Sequence, residues 1–142
     1  MADLQANKAI VTKFFEYLSA ADADALMDLY TDDVEVWTAG DLPLSGMHPR
    51  SELRGLIEGV SGAFPEGWQF TPKTLTAEDD RVAVQAEGMG KHASGRVYQQ
   101  KYHFLFWIRD GKIARFDEYF DTKHASEILF GAPAPSFEVP ES

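Results

Sequence analysis

The fold is decided by residues 97–121, which read VYQQKYHFLFWIRDGKIARFDEYFD. Apolar and polar side chains alternate along this stretch with the period of two that is typical of β-strands. The pair Asp110-Gly111 in its middle favours a tight hairpin turn. The stretch therefore predicts two paired antiparallel strands, at residues 97–109 and 112–121.

Outward from this hairpin, the patterns predict further strands at residues 34–38, 68–76 and 81–91, with a loop after the first of them. Apolar residues spaced three and four apart predict helices at 7–20, at 23–30 and from Pro49 to the segment 62–65, and a short helix at 122–130. This order indicates an α+β fold. We expect a cone-like, curved antiparallel sheet wrapped around the amino-terminal helix pair and the third helix, with an apolar pocket inside.

Length, charge and composition exclude several classes of partner and of chemistry. A chain of 142 residues predicts a single domain over residues 1–131, and the Pro-rich tail 132–142 is expected to be loose or draped over a neighbour. A net charge of −10 argues against nucleic acid and anionic membranes as partners. The absence of cysteine excludes disulfides and thiolate chemistry. Without a membrane-length apolar run or an apolar leader, we expect a cytoplasmic protein.

Glu118 is the most informative residue of the last strand. Alternation assigns two sets of residues to opposite faces: Ala114, Phe116, Glu118 and Phe120 inside, and Ile113, Arg115, Asp117, Tyr119 and Asp121 outside. A carboxyl group between two phenylalanines is unfavourable unless it is hydrogen-bonded, paired or protonated. Desolvation predicts a raised pKa, which suits a catalytic acid or base. The alternative is a structural ion pair or a cap on a backbone group.

The neighbouring strand predicts the rest of the pocket. Its inner face carries Tyr98, Gln100, Tyr102, Phe104 and Phe106. We expect Tyr102, with Gln100 or Tyr98, to hydrogen-bond a substrate oxygen, although both tyrosines are also ordinary packing residues of a strand. A water-poor wall is predicted from five side chains: Phe14, Phe104, Phe106, Phe116 and Phe120. Thr38 is expected at the mouth.

Other features predict partners and exclude cofactors. Leu105 and Trp107 fall on the outer face of the sheet, and this exposed apolar surface predicts a homodimer. The four histidines lack the spacing of a metal site, so no metal is expected, and His48 is interpreted as a helix cap. Gly88-Met89-Gly90 lacks the context of a dinucleotide site, so no cofactor is implied.

The order of several short motifs resembles a known family. They are Phe64-Pro65, Glu87-Gly88-Met89-Gly90-Lys91, Tyr102-His103-Phe104, Asp110-Gly111-Lys112-Ile113, Glu118-Tyr119 and Leu129-Phe130-Gly131. Together they resemble the SnoaL-like polyketide-cyclase branch of the nuclear-transport-factor-2-like (NTF2-like) superfamily, which includes ketosteroid-isomerase-like proteins. Within that branch the chain is most similar to the phenazine-biosynthesis A/B proteins.

This resemblance implies roles for single residues. The acid/base glutamate of the phenazine proteins falls on Glu118, whereas their third-helix histidine falls near Leu56 and is missing. The aspartate and the first-helix tyrosine of ketosteroid isomerases fall on Thr38 and Phe14, and the aspartic acid of their oxyanion hole falls on or beside Tyr102. Steroid isomerisation is therefore not expected. Epoxide hydrolysis ranks third, because Arg115 and Asp117 are predicted to point outward.

The sequence thus predicts a cofactor-independent proton-transfer enzyme, of isomerase, cyclase or dehydratase type. Its ligand is expected to be a small, apolar metabolite that is cyclic or carries a carbonyl group. The alternative is a non-catalytic module of the same fold that binds a small ligand or dimerises.

Overall fold

Residues 2–131 are the part of the chain that the computed structural model describes, and they form four helices and six strands. The helices are α1 (Leu4–Ser19), α2 (Ala23–Leu29), α3 (Arg50–Ser61) and α4 (Thr122–Leu129). The strands are β1 (Tyr30–Thr38), β2 (Gly46–Pro49), β3 (Trp68–Glu78), β4 (Arg81–Lys91), β5 (Val97–Arg109) and β6 (Lys112–Phe120). The predicted tail lies outside the described residues. Among those residues, no helix combines the length and the hydropathy that crossing a membrane requires.

The six strands form one sheet in the order β2-β1-β6-β5-β4-β3. All neighbouring pairs are antiparallel except β1 and β6, which run parallel. The sheet is therefore mixed, where the sequence predicted antiparallel pairing throughout. The predicted α+β architecture of the NTF2-like type is confirmed.

Local sequence signals explain where the helices begin. The Asp3 side chain caps α1 by accepting a hydrogen bond from the backbone N–H of Ala6, at 3.0 Å. Asp22 caps α2 in the same way, through Ala25 at 3.1 Å. Each cap satisfies an N–H group that has no partner inside the helix.

The core lies between α1 and the concave face of the sheet. Phe14 is its centre, since its ring packs edge-on against Phe106 at 5.0 Å and Phe116 at 5.1 Å. At the carboxyl end of α1, the Trp68 indole donates to the Leu18 carbonyl over 2.6 Å, which ties the helix to β3. Edge-on aromatic pairs and buried apolar area together stabilise this layer.

The hairpin between β5 and β6 has the predicted turn. Asp110 and Gly111 have φ angles of 53° and 75°, the paired positive values of a type I′ turn. Beyond the turn, however, β6 carries one extra residue, because Trp107 pairs with Arg115 whereas Ile108 pairs with Ile113. The bulge therefore reverses which side chains face inward and outward in the first residues of β6. The prediction that Ile113 faces outward is wrong, since Ile113 is 0% exposed.

The segment before the third helix also differs from the prediction. Strand β1 begins at Tyr30, which the pattern had assigned to the second helix, and Gly46–Pro49 forms the short strand β2 inside the predicted loop. Pro49 is the N-cap of α3 and makes no side-chain capping bond. The added strand places His48 opposite Val36 of β1.

Candidate active site

A cavity of about 130 Å³ lies between α3 and the sheet. Its lining is apolar apart from a few polar groups on β1, β5 and β6. The lining residues are Phe14, Leu18, Tyr30, Val36, Thr38, Leu44, Leu53, Leu56, Ile57, Val60, Phe64, Trp68, Phe70, Tyr98, Tyr102, Phe104, Phe116, Glu118, Phe120 and Leu129. An apolar cavity with a few convergent polar groups is the usual form of a small-molecule site.

Glu118 is the one carboxyl group in the described lining of this cavity. The strand register places it between Thr38 of β1 and Phe104 of β5. The Thr38 hydroxyl donates a hydrogen bond to Glu118 Oε1 over 2.9 Å. None of the ion pairs within residues 2–131 includes Glu118. The predicted alternative of a structural ion pair is therefore not seen in this part of the chain.

Burial raises the pKa of Glu118 from 4.5 to about 7. Two neighbours oppose this effect and favour the ionised form: the hydrogen bond from Thr38 and the electrostatic influence of His48. Desolvation outweighs both, as expected for a carboxyl group in an apolar cavity. Near neutral pH the group is present in both its acid and its base form, and this suits it to proton transfer in either direction.

Two tyrosines of β5 form a hydroxyl pair at the same cavity. The Tyr98 and Tyr102 hydroxyl oxygens lie 2.7 Å apart, so one donates to the other. Burial raises the pKa of Tyr98 to about 12, and it raises the pKa of Tyr102 well above its usual value. Both groups therefore stay neutral at physiological pH and act as hydrogen-bond donors.

The Gln100 side chain hydrogen-bonds to Tyr98 and to the neighbouring backbone. Its Oε1 accepts from the backbone N–H groups of Lys101 and Asp121, over 3.1 and 3.0 Å. Its Nε2 donates to the Asp121 carbonyl over 2.8 Å and to the Tyr98 hydroxyl over 3.3 Å. Because the three backbone contacts agree on which end is the amide nitrogen, the orientation of the side chain is fixed.

His48 lies at the edge of the site. Its Nδ1 is 2.8 Å from Glu52 Oε2 and its Nε2 is 2.6 Å from the Leu44 carbonyl oxygen. Both partner oxygens are hydrogen-bond acceptors, so the ring links Glu52 to Leu44. The interpretation of His48 as a helix cap is wrong, because it joins the loop before β2 to the first turn of α3.

The other histidines have separate positions. His124 stacks on Tyr98 with a ring separation of 5.4 Å, and its Nε2 accepts from the Gln99 N–H over 3.2 Å. His103 is exposed on the outer face of β5, and His92 bonds to Ser94 at a strand end. Across residues 2–131, no group of three or more His, Asp or Glu side chains is arranged to hold a metal ion.

The structure brings most of the predicted site residues to one cavity. Those that line it are Phe14, Thr38, Tyr98, Tyr102, Phe104, Phe116, Glu118 and Phe120. Two predicted residues are not part of the lining. Phe106 is fully buried beneath Phe14 and Phe104, and Gln100 contacts the site through Tyr98.

Sequence reasoning missed part of the site. The wall contributed by α3, which includes Leu53, Leu56, Ile57 and Val60, was recognised as the apolar stripe of a helix but not as cavity lining. Tyr30 was assigned to a helix, yet its buried ring lines the cavity and the nearby Glu118 helps burial raise its pKa. The β-branched and aromatic residues at 34–38, which lie shortly after Tyr30, are the signal that could have assigned it to a strand.

Comparison with known proteins agrees with this architecture. The model of the SnoaL-like domain family matches residues 11–116. The search of curated proteins found no match. Similar solved structures include Bal32a from a soil-derived mobile gene cassette, with a TM-score of 0.80 and 17% identity over 88% of this chain and 97% of that one.

Two further structures show the same fold. IdmH from Streptomyces antibioticus, named as a candidate polyketide cyclase, has a TM-score of 0.74 and 18% identity over 87% of this chain and 98% of its own. A SnoaL-like protein from Jannaschia has a TM-score of 0.75 and 18% identity, over 94% and 98%. The predicted likeness to the SnoaL-like branch is confirmed, and the finer likeness to the phenazine proteins stays a prediction.

Proposed function

The chain belongs to the SnoaL-like domain family, and from this premise we propose that it is a cofactor-independent enzyme that transfers protons on a small, apolar, carbonyl-bearing metabolite. The reaction class is isomerisation, cyclisation or dehydration. The observation that carries the proposal is Glu118, a carboxyl group with a pKa of about 7 on an otherwise apolar cavity that also presents a tyrosine hydroxyl pair.

The proposed chemistry needs only groups of this chain. A ligand carbonyl oxygen accepts a hydrogen bond from Tyr102, which stabilises the negative charge that develops on that oxygen. In an isomerisation, the Glu118 carboxylate removes a proton from the carbon beside the carbonyl, and the protonated Glu118 returns that proton to another carbon. In a dehydration, the protonated Glu118 gives the proton to the departing hydroxyl group, which leaves as water. The proton is conserved, and no electron acceptor is involved.

The hydrogen bonds around Tyr98 support the role of Tyr102 as donor. Because Gln100 Nε2 donates to the Tyr98 oxygen, Tyr98 is free to donate its own proton to the Tyr102 oxygen. Tyr102 then keeps its proton for the ligand. A chain of donors that all point the same way strengthens its last member.

The alternative, a non-catalytic binding module, shares this cavity and differs in what Glu118 does. In that case the carboxyl group only hydrogen-bonds the ligand. The absence of an ion pair to Glu118 within residues 2–131 favours the enzyme, because a carboxyl group kept free to titrate is what proton transfer requires.

We also propose a homodimer that forms through the outer face of the sheet. Trp37 and Tyr119 pack there at 5.2 Å, and Tyr119 is 47% exposed. Nearby, Arg115 lies over the Trp107 ring at 5.3 Å. Apolar and aromatic side chains on a strand face that no helix of residues 2–131 covers favour a second subunit as partner. A cytoplasmic location stays a prediction from the sequence.

The experiment that tests the proposed function is α-proton exchange of cyclohexanone in D₂O, followed by NMR. We expect the protein to accelerate exchange and Glu118→Gln to reduce that acceleration by about 100-fold or more. Glu16→Gln, an exposed glutamate of α1, is the matched control and retains the activity. Binding without any acceleration of exchange would favour the non-catalytic module.

A further inference from the structure

A surface groove adjoins the cavity and shares part of its lining. It has a volume of about 290 Å³ and lies between α3, the end of α4 and the loop before β2. Its lining is Pro43, Leu44, Gly55, Leu56, Gly59, Val60, Ala63, Leu129 and Phe130. No charged side chain belongs to this set.

Four side chains line the groove on one side and the cavity on the other. They are Leu44, Leu56, Val60 and Leu129. All four are half-buried, so they form an apolar partition between the cavity and the surface. They come from three parts of the chain, which are the loop before β2, α3 and α4.

We infer that this groove is a second ligand subsite, which holds an uncharged hydrocarbon substituent of the molecule whose ring occupies the cavity. The inference rests on the proposed function and narrows its substrate class. The ligand is elongated, with a carbonyl-bearing ring at Glu118 and an alkyl or aryl substituent that passes between Leu44, Leu56 and Leu129.

The size of the cavity supports a ligand with two parts, a ring in the cavity and a substituent in the groove. An apolar cavity of about 150 Å³ accommodates a single benzene ring. The cavity here, at about 130 Å³, is no larger than that, so it holds at most one ring of that kind. A larger apolar metabolite therefore needs space outside the cavity, and the groove offers that space beyond a partition of side chains alone.

The floor of the groove is also shaped for close contact. Gly55 and Gly59 lie one turn apart on α3, and a Cβ atom added at either position meets nothing within 4 Å. Glycine inside a helix lowers its stability by about 1 kcal/mol relative to alanine. Neither glycine is required by packing against the protein itself, so the open surface that the two leave is available to a ligand.

The uncharged lining of the groove favours an apolar substituent over a charged one. The partition consists of side chains, so a substituent that displaces them does not have to break a backbone hydrogen bond. A phosphate or carboxylate substituent finds no cation among the lining residues and loses its hydration. An apolar substituent gains by leaving water.

The test is calorimetric binding of 4-alkylcyclohexanones with one to five carbons in the alkyl chain to the full-length protein. We expect the affinity to rise about two- to fourfold with each added methylene, the upper figure corresponding to full burial. Gly59→Leu fills the groove. It should abolish this dependence, so that all the ketones bind with similar Kd values.

Glu58→Leu is the matched control, because residue 58 adjoins Gly59 on α3 but lies outside the groove lining. It should keep the chain-length dependence. An affinity independent of chain length in the wild type overturns the subsite, and so does a dependence that Gly59→Leu retains. A dependence that appears only after removal of residues 132–142 also overturns it, since the groove then belongs to the chain's own carboxyl-terminal segment.

Failure of the subsite is distinct from failure of the proposed function. If none of the ketones binds, the carbonyl-ligand proposal itself is contradicted. If the ketones bind with equal affinities and Glu118-dependent exchange persists, the catalytic proposal stands and the groove has no part in binding.

Discussion

Thr38 donates a hydrogen bond to Glu118 across the parallel pair β1–β6, with 2.9 Å between Thr38 Oγ1 and Glu118 Oε1. The bond favours the ionised carboxylate and so opposes the desolvation that raises the Glu118 pKa. Thr38→Val keeps the shape and removes the donor. We expect the pKa of Glu118 to rise above its wild-type value of about 7, with a shift to higher pH in the rate profile of ketone exchange. Thr12→Val, at an exposed position of α1, is the control and leaves the profile unchanged.

Stability should depend on pH through Glu118. Its folded pKa is raised, so the neutral form is favoured in the folded state and the contribution to stability is fully present below about pH 4.5. That contribution is lost as the pH rises, and at about pH 7 the free energy of unfolding has fallen by about 3 kcal/mol on this account.

Glu118→Gln removes this loss because the glutamine stays uncharged. In chemical denaturation, the variant should match the wild type below about pH 4.5 and be the more stable protein above about pH 7. A variant that is less stable by about 3 kcal/mol at neutral pH would instead identify a structural carboxylate.

His48 should lower the Glu118 pKa through its charge. His48→Gln keeps a donor for Leu44 or Glu52 and removes the imidazole whose electrostatic influence lowers the Glu118 pKa, so the midpoint of the rate profile should move to higher pH. The control is His103→Gln on the outer face of β5. Equal midpoints in wild type and His48→Gln would mean that His48 only holds the loop in place.

Removal of the Tyr102 hydroxyl and removal of the Tyr98 hydroxyl should slow ketone exchange to different degrees. Tyr102→Phe removes the donor to the ligand and should slow ketone exchange about 100-fold, whereas Tyr98→Phe should have a smaller effect because it removes only the support. The measurement is kcat and KM for exchange in both variants. The opposite order would reverse the assigned direction of the Tyr98–Tyr102 hydrogen bond.

The proposed dimer is tested on the outer face of the sheet. Leu105→Lys places a charge among Trp107 and its neighbours and should convert a dimer into a monomer in light scattering coupled to size-exclusion chromatography. Thr12→Lys is the control on α1. A wild type that is monomeric at micromolar concentration contradicts the proposal.

Much of this arrangement follows from the sequence because strands constrain side chains so strongly. The alternation of β5 placed Tyr98, Tyr102 and Phe104 on one face, and the cavity lies on that face. Glu118 was found in the same way. Its pKa direction then followed from the flanking phenylalanines, because desolvation depends mainly on the neighbours of a carboxyl group.

The missed features arise from contacts between distant segments. A bulge at Ala114 changes the face of Ile113, and nothing in the alternation marks where the extra residue lies. The parallel pairing of β1 with β6 joins residues 80 positions apart, Thr38 and Glu118. The role of His48 depends on a four-residue strand that is too short for a pattern.

The most direct measurement is an NMR titration of the ¹³C-labelled Glu118 carboxyl group in the full-length protein, assigned by comparison with Glu118→Gln. We expect a single titration with a midpoint near pH 7. A midpoint at or below about 4.5, the ordinary value for glutamate, would contradict this expectation and would remove the basis for Glu118 as the proton-transferring group.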